Sequence, residues 1–504
     1  MTATRHTRRD FLKTVGAHAA LLAIPTKLPA SSKNQGSNTL DAYNEPFRPQ
    51  FHFTPTTGWM NDPCGMVYYK GEYHLHYQAN PDPKGWGNRW AHAVSKDLVH
   101  WTHLPPALIK DKEHGGCWSG SAVVDSNNTA GFQTGKENVL VIFFTKVTKA
   151  QGQTVGLAYS NDRGRTWQRY PANPVIVPAD GNKDFRDPKV IWHEPSKQWI
   201  MAISRGYTAP GGLYRSTNLK EWEFAGNAPN GECPDIFELA VPGTQDKKWL
   251  YLCGDYPTTP NGVGAKFFIG DFDGSNFTAQ SQALRLAGNF FVGQLFSDMP
   301  AKDGRRIWMG WKWLKNEGNL GPWAGGIQTI PVELTLGKLD NKELRLFYNP
   351  ARELQSLRTQ HVHFTDQTIT EHCSILTDKG INGELFECIA EFEPGRAQEF
   401  GLQFRKGDNT TCTVGYNATD KKIFFRDPTG KEKVSQPLPL EKGRVKLHLL
   451  LDRSVIDIFG NGGQTWNCAF FKADRKNTGI EFFAKGAPAR LLAMDLWKLK
   501  SIWR

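Results

Sequence analysis

The chain contains 504 residues, of which 39% are hydrophobic and 22% are charged, and this length allows two to four domains. The balance excludes a mainly disordered chain. Abundant aromatic residues, Gly and Pro favour β-structure over helical bundles. The formal net charge of +11 does not predict a nucleic-acid partner, because no basic block and no nucleic-acid-binding motif accompanies it.

The first 32 residues have the pattern of an export signal. Arg8 and Arg9 precede an apolar stretch over residues 15–24, and small residues follow Pro25. We therefore predict a signal peptide over residues 1–32 of the bacterial twin-arginine type, which implies a periplasmic or extracellular protein. The alternative is an amphipathic N-terminal helix. The apolar stretch is too short to cross a bilayer core of about 30 Å, so we predict no membrane span.

Removal of this segment would lower the net charge to +7, because it carries five basic residues and one acidic residue. Residues 33–45 are polar and are predicted to form a linker. The eight cysteines include no CxxC pair, so we predict no zinc cluster, and the sequence leaves their pairing open.

Four turn segments of similar sequence recur along the chain, and each ends on an aromatic residue. These residues are Trp101, Trp167, Trp222 and Phe277, at intervals of 55–66 residues. Short apolar runs precede each segment, and a period near 60 residues made of several short strands is typical of propeller blades. The alternative is a chance similarity of polar turns. We predict a five-bladed β-propeller over residues 46–352.

The repeat fades after about residue 355. Segments at 385–392, 400–404, 445–451, 455–459 and 480–483 alternate or run apolar between turn signals. Short strands at this spacing predict an antiparallel β-sandwich over residues 353–504. The predicted fold class is therefore all-β, with a propeller followed by a C-terminal sandwich.

Three acidic residues precede apolar strands in similar settings. Asp62, Asp187 and Glu232 are each followed within two residues by proline. In a propeller the first strand of each blade lines the central channel, so these carboxylates should converge at one end of it. Converging buried carboxylates raise the pKa of at least one member, and a protonated acid beside an ionised partner is what glycosidic cleavage requires.

The three acids have two other interpretations. A single Asp-Pro is most often a turn residue, but three equivalent positions weaken that interpretation. Clustered carboxylates also bind calcium, yet the sequence has no Asp-rich calcium loop, so we predict no metal. Aromatic and amide side chains nearby suit a carbohydrate pocket, although each tryptophan could instead pack between blades; they are Gln78, Trp86, Trp90, Trp118 and Trp313.

Six motifs together resemble glycoside hydrolase family 32, which includes invertases, levanases and inulinases. The resemblance covers residues 45–355 in order and spacing, and residues 451–459 resemble the family's C-terminal sandwich. The motifs are Trp59–Gly65, Tyr73–Gln78, His92–Trp101, Ser119–Val124, Phe185–Pro188 and Glu232–Asp235.

The resemblance implies a retaining hydrolase that cleaves β-D-fructofuranosidic bonds in fructans or sucrose through a fructosyl-enzyme. It implies Asp62 as nucleophile, Glu232 as acid/base and Asp187 as transition-state stabiliser, with no cofactor. The expected partner is a fructose-containing oligo- or polysaccharide. Retention predicts a carboxyl separation of about 5–5.5 Å between nucleophile and acid/base. The remaining sugar contacts implied are Trp59, Asn61, Gln78, Trp86, Trp118, Ser119 and Arg186.

Three positions depart from the family pattern. Cys64 replaces the usual Asn, Gly231 replaces a bulky residue, and residues 288–294 lack a common Asp. These departures leave the preference among levan, inulin and sucrose open, as well as exo or endo action. A fructosyltransferase on the same site, a non-catalytic carbohydrate-binding propeller and a family 43-like hydrolase are the alternatives. A complete set of three acids argues against a binding module. No oligomeric state is predicted.

Overall fold

The computed structural model describes residues 42–207, 209–255, 264–285, 290, 292–315, 317–407 and 410–503. The predicted signal peptide lies outside these residues, as does most of the predicted linker. The described part is almost wholly β-structure, with one α-helix at Ile375–Asp378 and 3-10 helices at Arg352–Leu357 and Asn461–Gly463. No helix of this part has the length and apolarity that a membrane span requires.

Five antiparallel sheets follow one another along the first part of the chain. The first contains β1 (Gly58–Tyr69), β2 (Glu72–Asn80), β3 (Arg89–Ser95) and β4 (Trp101–Leu108). The second contains β5 (Gly116–Asp125), β6 (Val139–Thr148), β7 (Gly152–Ser160) and β8 (Gln168–Arg169). The third contains β9 (Arg186–His193), β10 (Gln198–Ser204), β11 (Gly211–Ser216) and β12 (Glu223–Ala228).

The fourth and fifth sheets have additional short strands. The fourth contains β13 (Glu232–Ala240), β14 (Lys247–Gly254), β15 (Ala265–Phe272), β16 (Phe277–Ala279) and β17 (Leu284–Arg285). The next strands in the chain are β18 (Gly293–Leu295), β19 (Ile307–Trp313), β20 (Trp323–Ala324), β21 (Gly326–Gln328), β22 (Val332–Lys338) and β23 (Leu344–Pro350). All of these except β20 belong to the fifth sheet or pair with it.

The five sheets close into a ring. Their first strands, β1, β5, β9, β13 and β18, contact one another in that order, and β18 contacts β1. In addition, β20 pairs in parallel with β1, so a segment from the end of the ring holds its first strand. Closure leaves the sheets without long open edges, as in other propellers. The predicted propeller is confirmed.

The sequence repeat corresponds to the turn between the third and fourth strands. Ser95, Ser160 and Ser216 each end a third strand, and each hydroxyl accepts a hydrogen bond from the backbone N–H two residues later, at 3.1–3.4 Å. Such serine turns reverse the chain locally. The aromatic residue then begins or directly precedes the fourth strand, which explains why the spacing of these aromatics reports the spacing of the sheets.

Two sheets form the C-terminal sandwich. The strands are β24 (Arg358–Ile369), β25 (Leu385–Glu393), β26 (Glu399–Lys406), β27 (Cys412–Asn417), β28 (Lys422–Arg426), β29 (Glu432–Pro437), β30 (Val445–Asp452), β31 (Val455–Gly460), β32 (Thr465–Phe470), β33 (Gly479–Lys485) and β34 (Ala489–Leu499). One sheet has the order β24-β34-β25-β30-β31-β32 and the other β29-β28-β27-β26-β33. Every strand pair is antiparallel, which confirms the predicted sandwich.

The propeller and the sandwich share one hydrophobic core. Trp466 of the sandwich packs with its ring centroid 4.2 Å from Phe290 and 5.9 Å from Trp308 of the propeller. The same core includes Leu334 of the propeller and Phe459 of the sandwich. Burying this apolar surface stabilises both domains together.

A buried ion cluster fixes the segment before β1 to the sandwich. His52 Nδ1 lies 2.8 Å from Asp452 Oδ2, and Nε2 lies 2.8 Å from Asp457 Oδ2. Asp452 also accepts the backbone N–H groups of Phe51 and His52 at 2.8 Å. Burial lowers the pKa of His52, but the two carboxylates outweigh burial and hold it well above its usual value.

Candidate active site

The three predicted acids lie on first strands, at the same end of the ring. Asp62 is on β1, Asp187 on β9 and Glu232 on β13. Pairing with the second strand is irregular next to each acid, where Pro63, Pro188 and Pro234 follow. Proline has no backbone N–H for the ladder, so it favours such bulges. The bulges turn the acidic side chains out of the regular alternation and into the channel.

These side chains enclose one cavity of about 300 Å³. Seven residues predicted from the sequence line it, and Gln153 and Asp184 were not predicted. The complete lining is Asp62, Gln78, Trp86, Trp118, Gln153, Asp184, Arg186, Asp187 and Glu232. The convergence of the three acids in one pocket is thus confirmed.

One oxygen of Asp62 is held firmly and the other is not. Ser119 Oγ donates to Asp62 Oδ2 at 2.7 Å, and Gln78 Nε2 donates to the same oxygen at 3.2 Å. Asp62 Oδ1 has no hydrogen-bond partner within the described residues. Burial raises the pKa of Asp62 to about 6, and the charge of Glu232 adds to this while the Ser119 hydroxyl opposes it.

Glu232 is bound by an arginine. Arg186 donates to Glu232 Oε1 through Nη2 at 2.6 Å and through Nε at 3.1 Å. The guanidinium is itself oriented by Asp184, whose Oδ1 lies 2.7 Å from Nη1. Tyr207, which the sequence did not indicate, lies near this carboxyl group: burial raises the pKa of the Tyr207 hydroxyl, and the charge of Glu232 adds to the effect. Arg186 therefore fixes one oxygen of the acidic group.

Hydrogen bonds link Asp187 to the strand that carries Glu232 and to Ser119, which binds Asp62. Its Oδ2 accepts the N–H of Cys233 at 3.1 Å, and its own N–H donates to Thr145 Oγ1 at 2.8 Å. Thr145 in turn donates to the carbonyl of Ser119 at 2.9 Å. Burial raises the pKa of Asp187, against the opposing charge of Arg186. Asp187 and Cys233 both have positive φ, a strained conformation that concentrates at functional sites.

The predicted sugar contacts fall into two groups. Gln78, Trp86, Trp118 and Arg186 line the cavity, whereas Trp59, Asn61 and Ser119 do not. Trp59 donates through Nε1 to Asn61 Oδ1 at 3.0 Å, and its ring lies 5.2 Å from that of the half-exposed Trp86. These residues therefore support the lining.

The other two candidate tryptophans lie in different surroundings. Trp90 is fully buried and donates to the Trp118 carbonyl at 2.9 Å, so the interpretation as packing is correct for it. Trp313 lies 5.8 Å from Trp86 at the rim.

One departure from the family pattern, Gly231, has a local cause. Gly231 has a φ of +146°, and a Cβ there would lie within 2.6 Å of the Cys253 sulfur, so no larger residue fits. Cys64 is fully buried on β1, two residues after Asp62, and burial raises the pKa of its thiol. Three of the residues at 288–294 lie outside the described part. All eight cysteines have free thiols.

One group of potential metal ligands lies away from the pocket. Donor atoms of His52, Asp457 and Cys468 lie within 4.8 Å of one another, and all three residues are buried. His52 is already paired with two carboxylates there, which makes the cluster a salt bridge between the domains. The three acids of the pocket do not form such a group.

A propeller whose channel mouth holds buried carboxylates, an arginine and tryptophans defines a glycosidase. The sequence matches the Glycosyl hydrolases family 32 N-terminal domain over residues 52–350 and the Glycosyl hydrolases family 32 C terminal over residues 353–498. The chain belongs to glycoside hydrolase family 32.

Known proteins of similar sequence and structure agree with this assignment. A levanase of Bacillus subtilis (strain 168) is 40% identical over 492 residues, covering 92% of this chain and 72% of the levanase. An extracellular exo-inulinase of Aspergillus ficuum is 32% identical over 522 residues, covering 92% of this chain and 96% of that enzyme. The crystal structure of exo-inulinase from Aspergillus awamori matches with a TM-score of 0.82 at 28% identity, covering 92% of this chain and all of that one.

Proposed function

We propose that this enzyme hydrolyses β-D-fructofuranosidic bonds in fructans or sucrose, with retention of configuration. The observation that carries the proposal is the single pocket that holds Asp62 beside an arginine-bound Glu232. Relatives named levanase, exo-inulinase and invertase support the substrate class.

Asp62 is proposed as the nucleophile. Because Oδ2 is engaged by Ser119 and Gln78, the unpartnered Oδ1 is the oxygen expected to attack the anomeric carbon. The glycosidic C–O bond breaks as the carboxylate–carbon bond forms, which gives a fructosyl-enzyme. With a pKa of about 6, Asp62 is largely ionised above that pH, so activity should decline as the pH falls through this value.

Glu232 is proposed as the acid and then the base. It transfers its proton to the leaving oxygen and later removes a proton from the water that attacks the fructosyl-enzyme. Arg186 orients its carboxyl group throughout. Asp187 is proposed to bind fructose hydroxyls and to stabilise the positive charge that develops on the sugar ring.

The remaining contacts follow from the geometry of the pocket. Gln78, Trp86, Trp118 and Arg186 are proposed to touch the sugar, while Trp59, Asn61 and Ser119 support them. The expected separation between the carboxyl groups of Asp62 and Glu232 is about 5–5.5 Å, as retention requires.

The organisation of the whole chain is proposed in the same way. Residues 46–352 form the catalytic propeller and residues 353–504 the sandwich. Residues 1–32 act as a twin-arginine export signal, followed by a linker over residues 33–45. Export agrees with the name of the extracellular exo-inulinase relative.

The test compares Glu232→Gln with Glu238→Gln, a control on the same strand β13. The first variant should lose about 10³-fold or more in kcat on sucrose, levan and inulin, because it has no proton to give. On an aryl β-fructofuranoside, whose leaving group needs no protonation, the variant should retain far more of its kcat/KM, while its kcat still falls because Glu232 also activates the water in the second step. The control should keep its activity on all four substrates.

Full activity of Glu232→Gln on every fructoside would overturn the assignment. Separating the wild-type products by size distinguishes the alternatives, since free fructose indicates exo-hydrolysis. Longer products indicate endo action or transfer to a sugar hydroxyl.

A further inference from the structure

A second cavity adjoins the catalytic pocket. Its volume is about 800 Å³, and Trp118 lines both cavities. One wall is the segment 110–116 before β5, and the other is the hairpin that joins β6 to β7 over residues 146–151. We call this cavity the lysine cleft. It begins at the rim of the catalytic pocket, because β7 continues from its hairpin into Gln153 of the pocket lining.

Hydrogen bonds shape both walls. In the first wall, the Asp111 carboxylate accepts the backbone N–H of His114 at 2.6 Å, and the Asp111 carbonyl accepts the N–H of Gly115 at 3.1 Å. In the second wall, the backbone N–H of Gln151 donates to Thr148 Oγ1 at 3.1 Å and closes the hairpin. The cleft is therefore bounded by two ordered turns.

The lysine cleft carries mainly positive charge. Four lysines and one acid, Glu113, line it. None of the four forms an ion pair with any residue of the described part. The two nearby acids face His114 instead: its Nδ1 lies 2.9 Å from Asp111 Oδ2, and its Nε2 lies 3.8 Å from Glu113 Oε1. The lysines are Lys110, Lys112, Lys146 and Lys149.

Uncompensated positive charges in a cleft raise the local concentration of anions and bind them more tightly at low ionic strength. We propose that the lysine cleft binds the anionic groups of a saccharide chain, such as carboxylates, as that chain extends from the catalytic pocket. The saccharide nature of this ligand rests on the proposed function, because the cleft opens onto the pocket that takes the terminal sugar. The charge preference rests on the four lysines alone.

The experiment measures binding, not turnover. The probes are carboxymethyl-inulin and unmodified inulin of the same length, titrated by calorimetry at about 20 mM and about 300 mM NaCl, between which the screening length falls from about 20 Å to about 6 Å. The proteins are the wild type, Lys112→Glu/Lys149→Glu, and the control Lys379→Glu/Lys500→Glu. For the titrations each of the three also carries Glu232→Gln, so that hydrolysis of the probes adds no heat. The four substituted lysines are all exposed. The control variant changes the net charge by the same amount, but on the sandwich.

Lys112→Glu/Lys149→Glu should weaken binding of carboxymethyl-inulin about tenfold or more at low salt and much less at high salt. The control should change it less than twofold, and kcat/KM on sucrose should stay within twofold for both variants. Unmodified inulin should bind more weakly than the charged probe and should not respond to the substitutions.

Four results would overturn the inference. They are unchanged affinity for carboxymethyl-inulin, an equal loss in the control, an equal loss for unmodified inulin, and tighter binding of a single-stranded oligonucleotide of matched charge. If carboxymethyl-inulin binds as expected but the wild type hydrolyses neither sucrose nor fructan, the proposed function is refuted and the charge preference stands. The two failures are therefore distinguishable.

Discussion

Replacing Asp62 by Asn should make the enzyme inactive and, at neutral pH, more stable. The carboxylate is almost fully buried, and burial raises its pKa from an ordinary 3.8 to about 6. A raised pKa in the folded state means that the contribution of this group to stability is complete below pH 3.8 and is lost as the pH rises through 6. Above that pH the ionised group opposes folding.

The size of the effect follows from the shift. Each pKa unit corresponds to 1.36 kcal/mol, so the ionised carboxylate costs up to about 3 kcal/mol at pH 8 and almost nothing at pH 3. Asn has nearly the same shape and can still accept from Ser119 and Gln78 through its carbonyl oxygen. The increase in the free energy of unfolding caused by Asp62→Asn should therefore grow with pH and level off above pH 7.

Urea unfolding at pH 4 and at pH 8 measures this difference. Asp420→Asn, at an exposed position without an ion pair in the described structure, is the matched control and should change the free energy of unfolding little at either pH. A variant that is less stable than the wild type at pH 8, or a gain of the same size at both pH values, would refute the reasoning about burial.

Three further predictions follow from the geometry. Ser119→Ala removes the donor at 2.7 Å from Asp62, so kcat/KM should fall about tenfold. The acid limb of the pH profile of kcat/KM should move to higher pH, because this hydrogen bond lowers the pKa of Asp62. His52→Gln should lower the melting temperature most below pH 6.5 and progressively less at alkaline pH, because stability from a raised histidine pKa is lost as that proton leaves. Gly120→Ala places a Cβ against the Phe143 carbonyl oxygen and should cost about 1–3 kcal/mol in urea unfolding, whereas Gly135→Ala, with open space around it, should be neutral.

The sequence predicted the sheets and the acids for physical reasons that act locally. A Ser-x-Asp or Ser-x-Asn turn between the third and fourth strands needs specific short-range hydrogen bonds, so it recurs visibly in the first three sheets. The acids stood out because each needs a proline nearby to interrupt the strand pairing. Both signals lie within a few residues of the feature that they report.

Features that depend on distant contacts could not be predicted. Gln153 reaches the pocket only because the second and third sheets meet at the ring centre, and it belongs to no recognisable motif. Tyr207 meets Glu232 through the path of the loop after β10. His52 pairs with Asp452, 400 residues later, and no local sequence pattern around either residue indicates this contact.

The strand order of the sandwich has a consequence for synthesis on the ribosome. The late strand β34 lies in the interior of its sheet, between β24 and β25, so that sheet is incomplete until residues 489–499 have emerged. Until then, the apolar propeller face around Trp308 and Leu334 lacks its full cover. A nascent chain therefore exposes an aggregation-prone surface from the synthesis of β22 until β34 has emerged. We expect a truncation before β34 to yield insoluble protein and not a smaller working enzyme, as fractionation of the expressed fragment would show.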